Sequence, residues 1–340
     1  MKLYALVLSL LLFLIAPGRK DQEPVYREPP RGALRLMWYN VENLFHPEDD
    51  TIPGDDEFTP EGVRHWTSDR YRKKLTGIAK VIIAAGAWDP PDLVGLCEVE
   101  NAIVLEELVR HPILVSYGYR FVHSDSPDRR GMDVACLYRE KRFRPVGWEV
   151  HPSVVKRDEG TRDVLHICGI WGKRDTLDLF LVHFISKYSG AGATAESRKR
   201  QASHLSQLAD SVQQQRMASL QVMVGDFNEE MGGYSMEPLS KTGIGRDSIE
   251  NIPLEGSLGS YKYRGRWSNI DQFLVCGQVK QYRFAGSVMK LPVLLTRDET
   301  YGGMIPNRTY KGYLYNGGIS DHLPILLDIS YRPFSIHFEQ

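Results

Sequence analysis

Hydrophobic and polar positions alternate between two periods along this chain. From Ala33 onward, strand-like and helix-like runs recur to the end. Leu34–Tyr39 reads as a first strand. Phe45 to Trp66, with Pro47, Pro53-Gly54 and Pro60, reads as a loop. Tyr71, Leu75, Ile78, Ala79 and Ile82 then fall on one face at helical spacing. Thr67 or Ser68 can cap that helix and Gly86 can stop it. Asp92–Cys97 is a short apolar run behind Pro90-Pro91, the pattern of a buried strand. Asn101–Arg110 reads as a short helix ended by Pro112. Strands follow at Tyr119–His123, Val134–Arg139, Arg144–Val150, Val164–Trp171 and Leu177–His183. A long helix near Ala195–Arg216 carries Ala202, Leu205, Ala209 and Val212 on one stripe. Leu220–Val224, Ile270–Val275, Tyr282–Val288 and Pro324–Ile329 read as further strands.

No Pro/Gly/Ser-rich linker splits this alternation, so one α/β domain over 33–332 is expected rather than two. Residues 19–32, rich in Pro, Arg and Glu, read as a linker, and 333–340 as a tail. Lys2, an apolar run of about 14 residues from Leu3 to Ala16, and Pro17-Gly18 fit a secretory signal peptide over 1–18. The run is short for a membrane span, which needs about 20 residues. A secreted or periplasmic protein without a stable span after cleavage is therefore expected, with an uncleaved anchor as the alternative. Cys97, Cys136, Cys168 and Cys276 lie in apolar runs without metal-type spacing and read as buried free thiols.

The chain has 340 residues, 42% hydrophobic and 25% charged, which excludes disordered, collagen-like and multispan membrane classes. Lys and Arg total 42 against 43 Asp and Glu, a net charge of −1. A broad basic field for holding nucleic acid is thus absent. An enzyme meeting phosphate in one local cleft remains compatible.

No HExxH, Walker A loop or GxSxG elbow is present. What remains is a set of polar residues at the ends of apolar strands, where α/β sheets present chemistry. The set is Asn40 and Glu42, Glu98, His183, Asp226 and Asn228, Asn269 and Asp271, and Asp321-His322. Taken singly, each has a structural explanation as a turn, a helix-end charge or a satisfied core polar group. Asp271 is hardest to dismiss, because a carboxylate inside an apolar strand needs a partner. Together they suit phosphoester hydrolysis. Carboxylates and amide oxygens without cysteine favour a hard cation such as Mg²⁺. An Asp can activate water, a His can supply a proton, and a second Asp can fix its tautomer. Asn228 can donate to the pentavalent centre.

Trp38–Leu44 (WYNVENL), Leu96–Glu100 (LCEVE), Val224–Asn228 (VGDFN), Ile270-Asp271 and Ser320–Pro324 (SDHLP) occur in an order that resembles the endonuclease/exonuclease/phosphatase superfamily. The resemblance spans Trp38 to Pro324. It implies a four-layer α-β-β-α sandwich of two packed mixed sheets with outer helices and the site at one end. It also implies roles. Glu98 would be the main metal ligand, with Asn40 ligating beside it or orienting phosphate. Asp226 would activate water and Asn228 contact the scissile phosphate. His322 would stabilise the transition state with Asp271 as its partner, and Asp321 would lie near the metal. His183 resembles the second histidine of the deoxyribonuclease I-like branches. Glu42 stands where the superfamily varies and is a further metal-ligand expectation. Cys97 departs from the Gln often found before the metal-binding Glu. Mg²⁺ is the implied cofactor, with Mn²⁺ or Ca²⁺ as alternatives.

Two regions resemble features of secreted bacterial members: Asp55–Gly62, continuing to Trp66 and Arg70-Tyr71, and Asn307–Tyr310 with Tyr315–Gly318. Arg308 is expected to bind a second phosphate. Asp49, Asp50, Asp55 and Asp56 form an acidic cluster without EF-hand spacing. The first functional expectation is a monomeric Mg²⁺-dependent phosphodiesterase acting as an endonuclease on DNA or RNA. Arg70, Arg72, Lys73, Lys74, Lys187, Arg198, Lys199 and Arg200 are its candidate phosphate contacts. The second is a phosphatase or a phospholipid or inositol-phosphate phosphodiesterase. The third is a binding module that has lost turnover.

Overall fold

The computed structural model describes residues 28–332 except 31, 49–55, 88, 156–161, 173–174, 241–247 and 257. The expected leader 1–18, most of the linker 19–32, the tail 333–340 and Asp49, Asp50 and Asp55 lie outside the described residues.

In chain order the elements are β1 (Leu34–Leu44), α1 (Ser68–Ala84), β2 (Leu93–Val99), α2 (Ala102–Val109), β3 (Tyr119–His123), β4 (Asp133–Arg139), β5 (Phe143–His151), β6 (Val164–Trp171) and β7 (Asp175–His183). Then come α3 (Ala195–Gln215), β8 (Leu220–Asp226), α4 (Glu237–Ser240), β9 (Glu250–Asn251), β10 (Leu254–Glu255), β11 (Tyr261–Tyr263), β12 (Arg266–Ser268), β13 (Asp271–Gly277) and β14 (Tyr282–Val288). The last are β15 (Leu295–Arg297), β16 (Met304–Pro306), β17 (Tyr310–Lys311), β18 (Leu314–Tyr315) and β19 (Ile325–Tyr331).

Two mixed sheets hold the long strands. One runs β10-β14-β19-β1-β2-β4-β3, the other β5-β6-β7-β8-β13-β9. Leu36, Trp38, Leu179, Leu181, Val222, Val224 and Phe273 are buried in one core cluster between them. The opposite face of the first sheet is covered by α1 and α2 through Ile78, Ile82, Leu105 and Leu108. The outer face of the second lies under α3, where Ala202, Leu205, Ala209 and Val212 meet Phe180, Val182 and Met223. The result is the expected order of helices, sheet, sheet and helix. Among the described residues no helix is long and apolar enough to cross a membrane.

The helix-end chemistry follows the sequence. The Thr67 side chain accepts from the Arg70 N–H at the start of α1, and Asn101 accepts from the N–H groups of Ile103 and Val104 at the start of α2. Gly86 follows α1 because a Cβ there would meet the Asp89 carbonyl at 2.1 Å. Arg35, a charge inside an apolar strand, is paired with Asp328 of β19 by two bonds of 2.7 and 2.6 Å and also donates to the Ala85 carbonyl. All four cysteines are buried and free.

The largest local departure is at the end of β1. The strand runs on to Leu44 instead of stopping at Tyr39, with a register shift between Asn40 and Leu44. Glu42 and Asn43 adopt φ of 51° and 56° there. Its parallel neighbour β2 is irregular at the same level, with Glu98 at φ 62°. Backbone of this kind turns side chains away from simple strand alternation. Neither apolar periodicity nor turn composition signals it.

Candidate active site

The site sits where strands of both sheets end together. In the second sheet, β7 is parallel to β8 and β13 antiparallel to it, so His183, Asp226 and Asp271 stand side by side in one register row. In the first sheet, Trp38 and Asn40 lie two residues apart on β1 and both point at that row. Trp38 Nε1 donates to Asp271 Oδ1 at 2.9 Å, and Asn40 Nδ2 lies 3.2 Å from Asp226 Oδ2. Gly95, paired with Trp38, leaves room for the indole, since a Cβ there would lie 2.7 Å from its ring.

His322 precedes β19 and closes the group. Its Nδ1 is 2.7 Å from Asp271 Oδ2, while its Nε2 is 3.7 Å from Asp226 Oδ2. Both His322 and Asp271 are buried. Burial alone would lower the proton affinity of His322, but Asp271 and then Asp226 raise it well above the ordinary imidazole value. Burial, with Asp271 next, lifts the Asp226 carboxyl to about 7. Tyr261 packs its ring 4.8 Å from that of His322. His183 behaves oppositely. Burial and the positive groups Arg162, Arg130 and His322 push it well below the ordinary value. Its Nε2 lies 3.8 Å from Asp226, and its Nδ1 has no hydrogen-bond partner among the described residues.

Glu98 is half-buried, and its two oxygens accept from Asn40 Nδ2 at 3.1 Å and the Asn43 N–H at 2.9 Å. It makes no ion pair among the described residues. The Asn40 amide oxygen accepts from the Glu42 N–H, so its amide nitrogen is the atom directed at Glu98 and Asp226. As oriented, Asn40 is a hydrogen-bond donor to the site. Asn228, at φ 51°, donates one amide N–H to the Phe184 carbonyl, and its backbone N–H donates to Asp226.

Glu42, Asp321 and Arg308 form a separate network on the flank. The Glu42 carboxylate accepts from the Thr309 N–H at 2.6 Å and lies 3.5 Å from Arg308 Nε. Arg308 donates to Asp321 at 2.9 Å. Burial and Asp321 raise Glu42 to about 7. Thus Arg308, expected as a phosphate contact, spends its guanidinium on the two carboxylates expected as metal ligands.

Several cations expected as phosphate contacts are buried or already paired. Lys74 is buried and donates to the Glu42 carbonyl, Thr309 Oγ1 and the Ile319 carbonyl, and burial lowers its pKa to about 8. Arg198 is buried too and donates to the carbonyl of Ala191. Lys187 pairs with Glu229 and Lys199 with Glu237. A helix pattern cannot distinguish a solvated Lys from one whose ammonium is drawn inward by carbonyls of a distant loop.

Trp38 and Tyr261 are the contacts the sequence reading missed. Trp38 lies in the WYNVENL run, yet its indole N–H shows its use only once Asp271, 233 residues away, is beside it.

The sequence profile of the Endonuclease/Exonuclease/phosphatase family matches residues 35–331. A search of curated proteins finds no match. Among solved structures, humanized zebrafish (D. rerio) TDP2 is similar with a TM-score of 0.56 at 13% identity, over 88% of this chain and 99% of that one. The human Nocturnin catalytic domain with bound sulfate gives 0.56 at 14%, over 93% and 100%. An endonuclease/exonuclease/phosphatase protein of Bacteroides vulgatus gives 0.57 at 13%, over 88% and 99%.

Proposed function

Because the chain belongs to the endonuclease/exonuclease/phosphatase family, we propose that it is a metal-dependent phosphodiesterase that cleaves nucleic acid by attack of water on phosphorus. One observation carries the reading. A buried histidine, held protonated by Asp271, faces a carboxyl poised near neutrality, Asp226. That sets a proton donor and a proton acceptor side by side at the strand ends.

The donor set suits a hard divalent cation, proposed as Mg²⁺ with Mn²⁺ or Ca²⁺ as alternatives. Glu98 offers carboxylate oxygens bound only to neutral N–H donors, and the nearest thiol, Cys97, is held protonated by burial. Glu98 would hold the ion. Glu42 and Asp321, now shared with Arg308, would be the further carboxylates available to it. When bound, the ion neutralises charge on the phosphoryl oxygens.

Asp226 in its ionised form takes a proton from water as the new O–P bond forms. The Nε2 proton of His322 counters the charge that builds on a nonbridging oxygen in the pentavalent state, and the departing ester oxygen takes its proton from solvent as the old P–O bond breaks. Asp271 keeps the imidazole oriented and charged, and Trp38 keeps Asp271 in place. His183, neutral at pH 7, offers an N–H donor without adding a charge. Asn40 and the second N–H of Asn228 can donate to nonbridging oxygens. In the same proposal, residues 1–18 export the chain.

The paired state of Lys187 and Lys199, and the burial of Lys74 and Arg198, favour a second reading. A small phosphoester or lipid headgroup needs no extended cationic track. The test is nicking of supercoiled plasmid by protein lacking residues 1–18, with Mg²⁺ or chelator, beside His322→Ala. Metal-dependent nicking lost in the variant supports the nuclease. Folded protein that nicks nothing but hydrolyses small diesters supports the second reading. Inactivity on every phosphoester refutes both.

A further inference from the structure

A second cluster of ligating side chains lies on the other face of the second sheet. Glu149 and His151 stand two apart on β5, and Glu149 pairs directly with His166 of β6. All three therefore project from one face. It is the α3 face, because His166 stacks on Phe180 at 4.3 Å and 8°, and Phe180 belongs to the core beneath α3. His183, by contrast, turns to the inner row with Asp226. One ligating atom from each of Glu149, His151 and His166 lies within 4.8 Å of the others.

Three details make this more than a polar patch. His166 Nε2 lies 2.8 Å from Oδ1 of the fully buried Asp178. Arg216 Nη2 donates to the same oxygen at 2.8 Å, so Asp178 is an ion-paired carboxylate whose Oδ1 accepts, and His166 Nε2 is the donor. The lone pair of His166 is thereby left on Nδ1. His151 Nε2 is buried with no hydrogen-bond partner among the described residues, and sits 3.7 Å from Glu149. Nε2 of His204 on α3 is likewise buried without a hydrogen-bond partner among the described residues. Buried imidazole nitrogens without a partner are costly unless something takes their lone pairs. A carboxylate behind a ligating histidine is the usual support in metal centres.

We propose that Glu149, His151 and His166 form a second metal site, of the Zn²⁺ class, with Asp178 as the positioning residue of His166. Two imidazoles and one carboxylate suit a borderline cation better than Mg²⁺. A tetrahedral centre with bonds of about 2 Å places its ligand atoms about 3.3 Å apart. Closing the cluster needs movement of about an ångström, available to the exposed Glu149 and the partly exposed His151. The site clamps the edge strand β5 to β6. It is independent of the catalytic end, since it shares no residue with it.

The test uses the full chain with saturating Mg²⁺, titrated with Zn²⁺ by equilibrium dialysis and with Co²⁺ by visible absorption. One Zn²⁺ per chain and the intense bands of low-coordinate Co²⁺ are expected. Glu149→Gln and Asp178→Asn should each weaken binding by about 10–100-fold, and His151→Ala by at least about 100-fold. His322→Ala should bind Zn²⁺ as the unaltered protein does. Mg²⁺-dependent diester hydrolysis by His151→Ala should be unchanged, which also shows that it folds. Unaltered Zn²⁺ binding in His151→Ala overturns the site. So does Zn²⁺ binding lost in His322→Ala, which puts the ion at the catalytic end, and so does protein that binds no Zn²⁺.

Discussion

Asp271→Asn isolates the electrostatic contribution of Asp271 to catalysis. The Asp271 carboxylate touches His322 Nδ1 at 2.7 Å and accepts from Trp38 Nε1 at 2.9 Å, and the whole group is buried. The asparagine oxygen can keep the Trp38 bond, so the fold should survive and Tm should move by only a few degrees. The charge is what disappears. Opposite charges about 4 Å apart, at an effective dielectric of about 20, attract by about 4 kcal/mol, or about three pKa units. Burial then acts on His322 with only Asp226 and Asp321 against it, and its proton affinity should fall from well above the ordinary imidazole value back toward it. An imidazole with the ordinary pKa of about 6.5 is only about 3% protonated at pH 8, so the loss of the protonated form should cost about 30-fold in kcat there. The assay is a pH–rate profile for bis-p-nitrophenyl phosphate between pH 5 and 10. Unaltered protein should hold its activity well into the alkaline range, whereas the variant's alkaline limb should fall near neutrality. A variant within tenfold of full activity at pH 8, with its alkaline limb unmoved, would refute the proposed role of the pair.

Glu98→Gln should raise the Mg²⁺ concentration for half-maximal activity at least about 10-fold; an unchanged Mg²⁺ titration would end its role as ligand. Gly95→Ala forces a methyl to 2.7 Å from Trp38 and 2.8 Å from Leu181. It should cost about 1–3 kcal/mol in urea unfolding and also lower kcat, because Trp38 holds Asp271; a full kcat at reduced stability would separate the indole from catalysis. Glu42 and Asp226 both titrate at about 7 in the folded chain, above the usual carboxylate value. Their contribution to stability is complete below the unfolded pKa and is lost as pH rises through about 7. With chelator present, thermal unfolding should therefore favour the folded state more at pH 5 than at pH 8 by a margin that shrinks in Glu42→Gln; equal slopes in the two proteins would count against the Glu42 shift.

Much of the fold could be read from apolar periodicity. The α1, α2 and α3 stripes and most long strands follow from spacing and caps, which are local. The strand-end polar set also contained the residues that gather at the site: His183, Asp226, Asp271 and His322, with Asn40 and Glu98 across from them. What could not be read is what distance along the chain conceals. Trp38 and Asp271 meet only after both sheets have formed. Arg308 reads as a free cation until Glu42 and Asp321 close on it. Lys74 and Arg198 sit in basic runs typical of a solvated helix face, yet neighbouring carbonyls take their donors inward. The short ribbons β9 to β12 and β15 to β18 have too few residues to show a period.

The paired irregularities at the ends of β1 and β2 have a bearing on engineering. Glu42, Asn43, Glu98 and Asn228 occupy left-handed backbone, and all four lie in or beside the proposed centre. Strain of this kind, about 1–3 kcal/mol per residue, persists only where surrounding structure imposes it. A selection for heat resistance alone would find easy gains there, glycine at Glu42 or Glu98 being the simplest. Each gain would erase a carboxylate proposed above as a metal ligand. Heat-tolerant versions of this protein should instead be sought in α1, α3 and the outer ribbons, leaving the strand ends as they are.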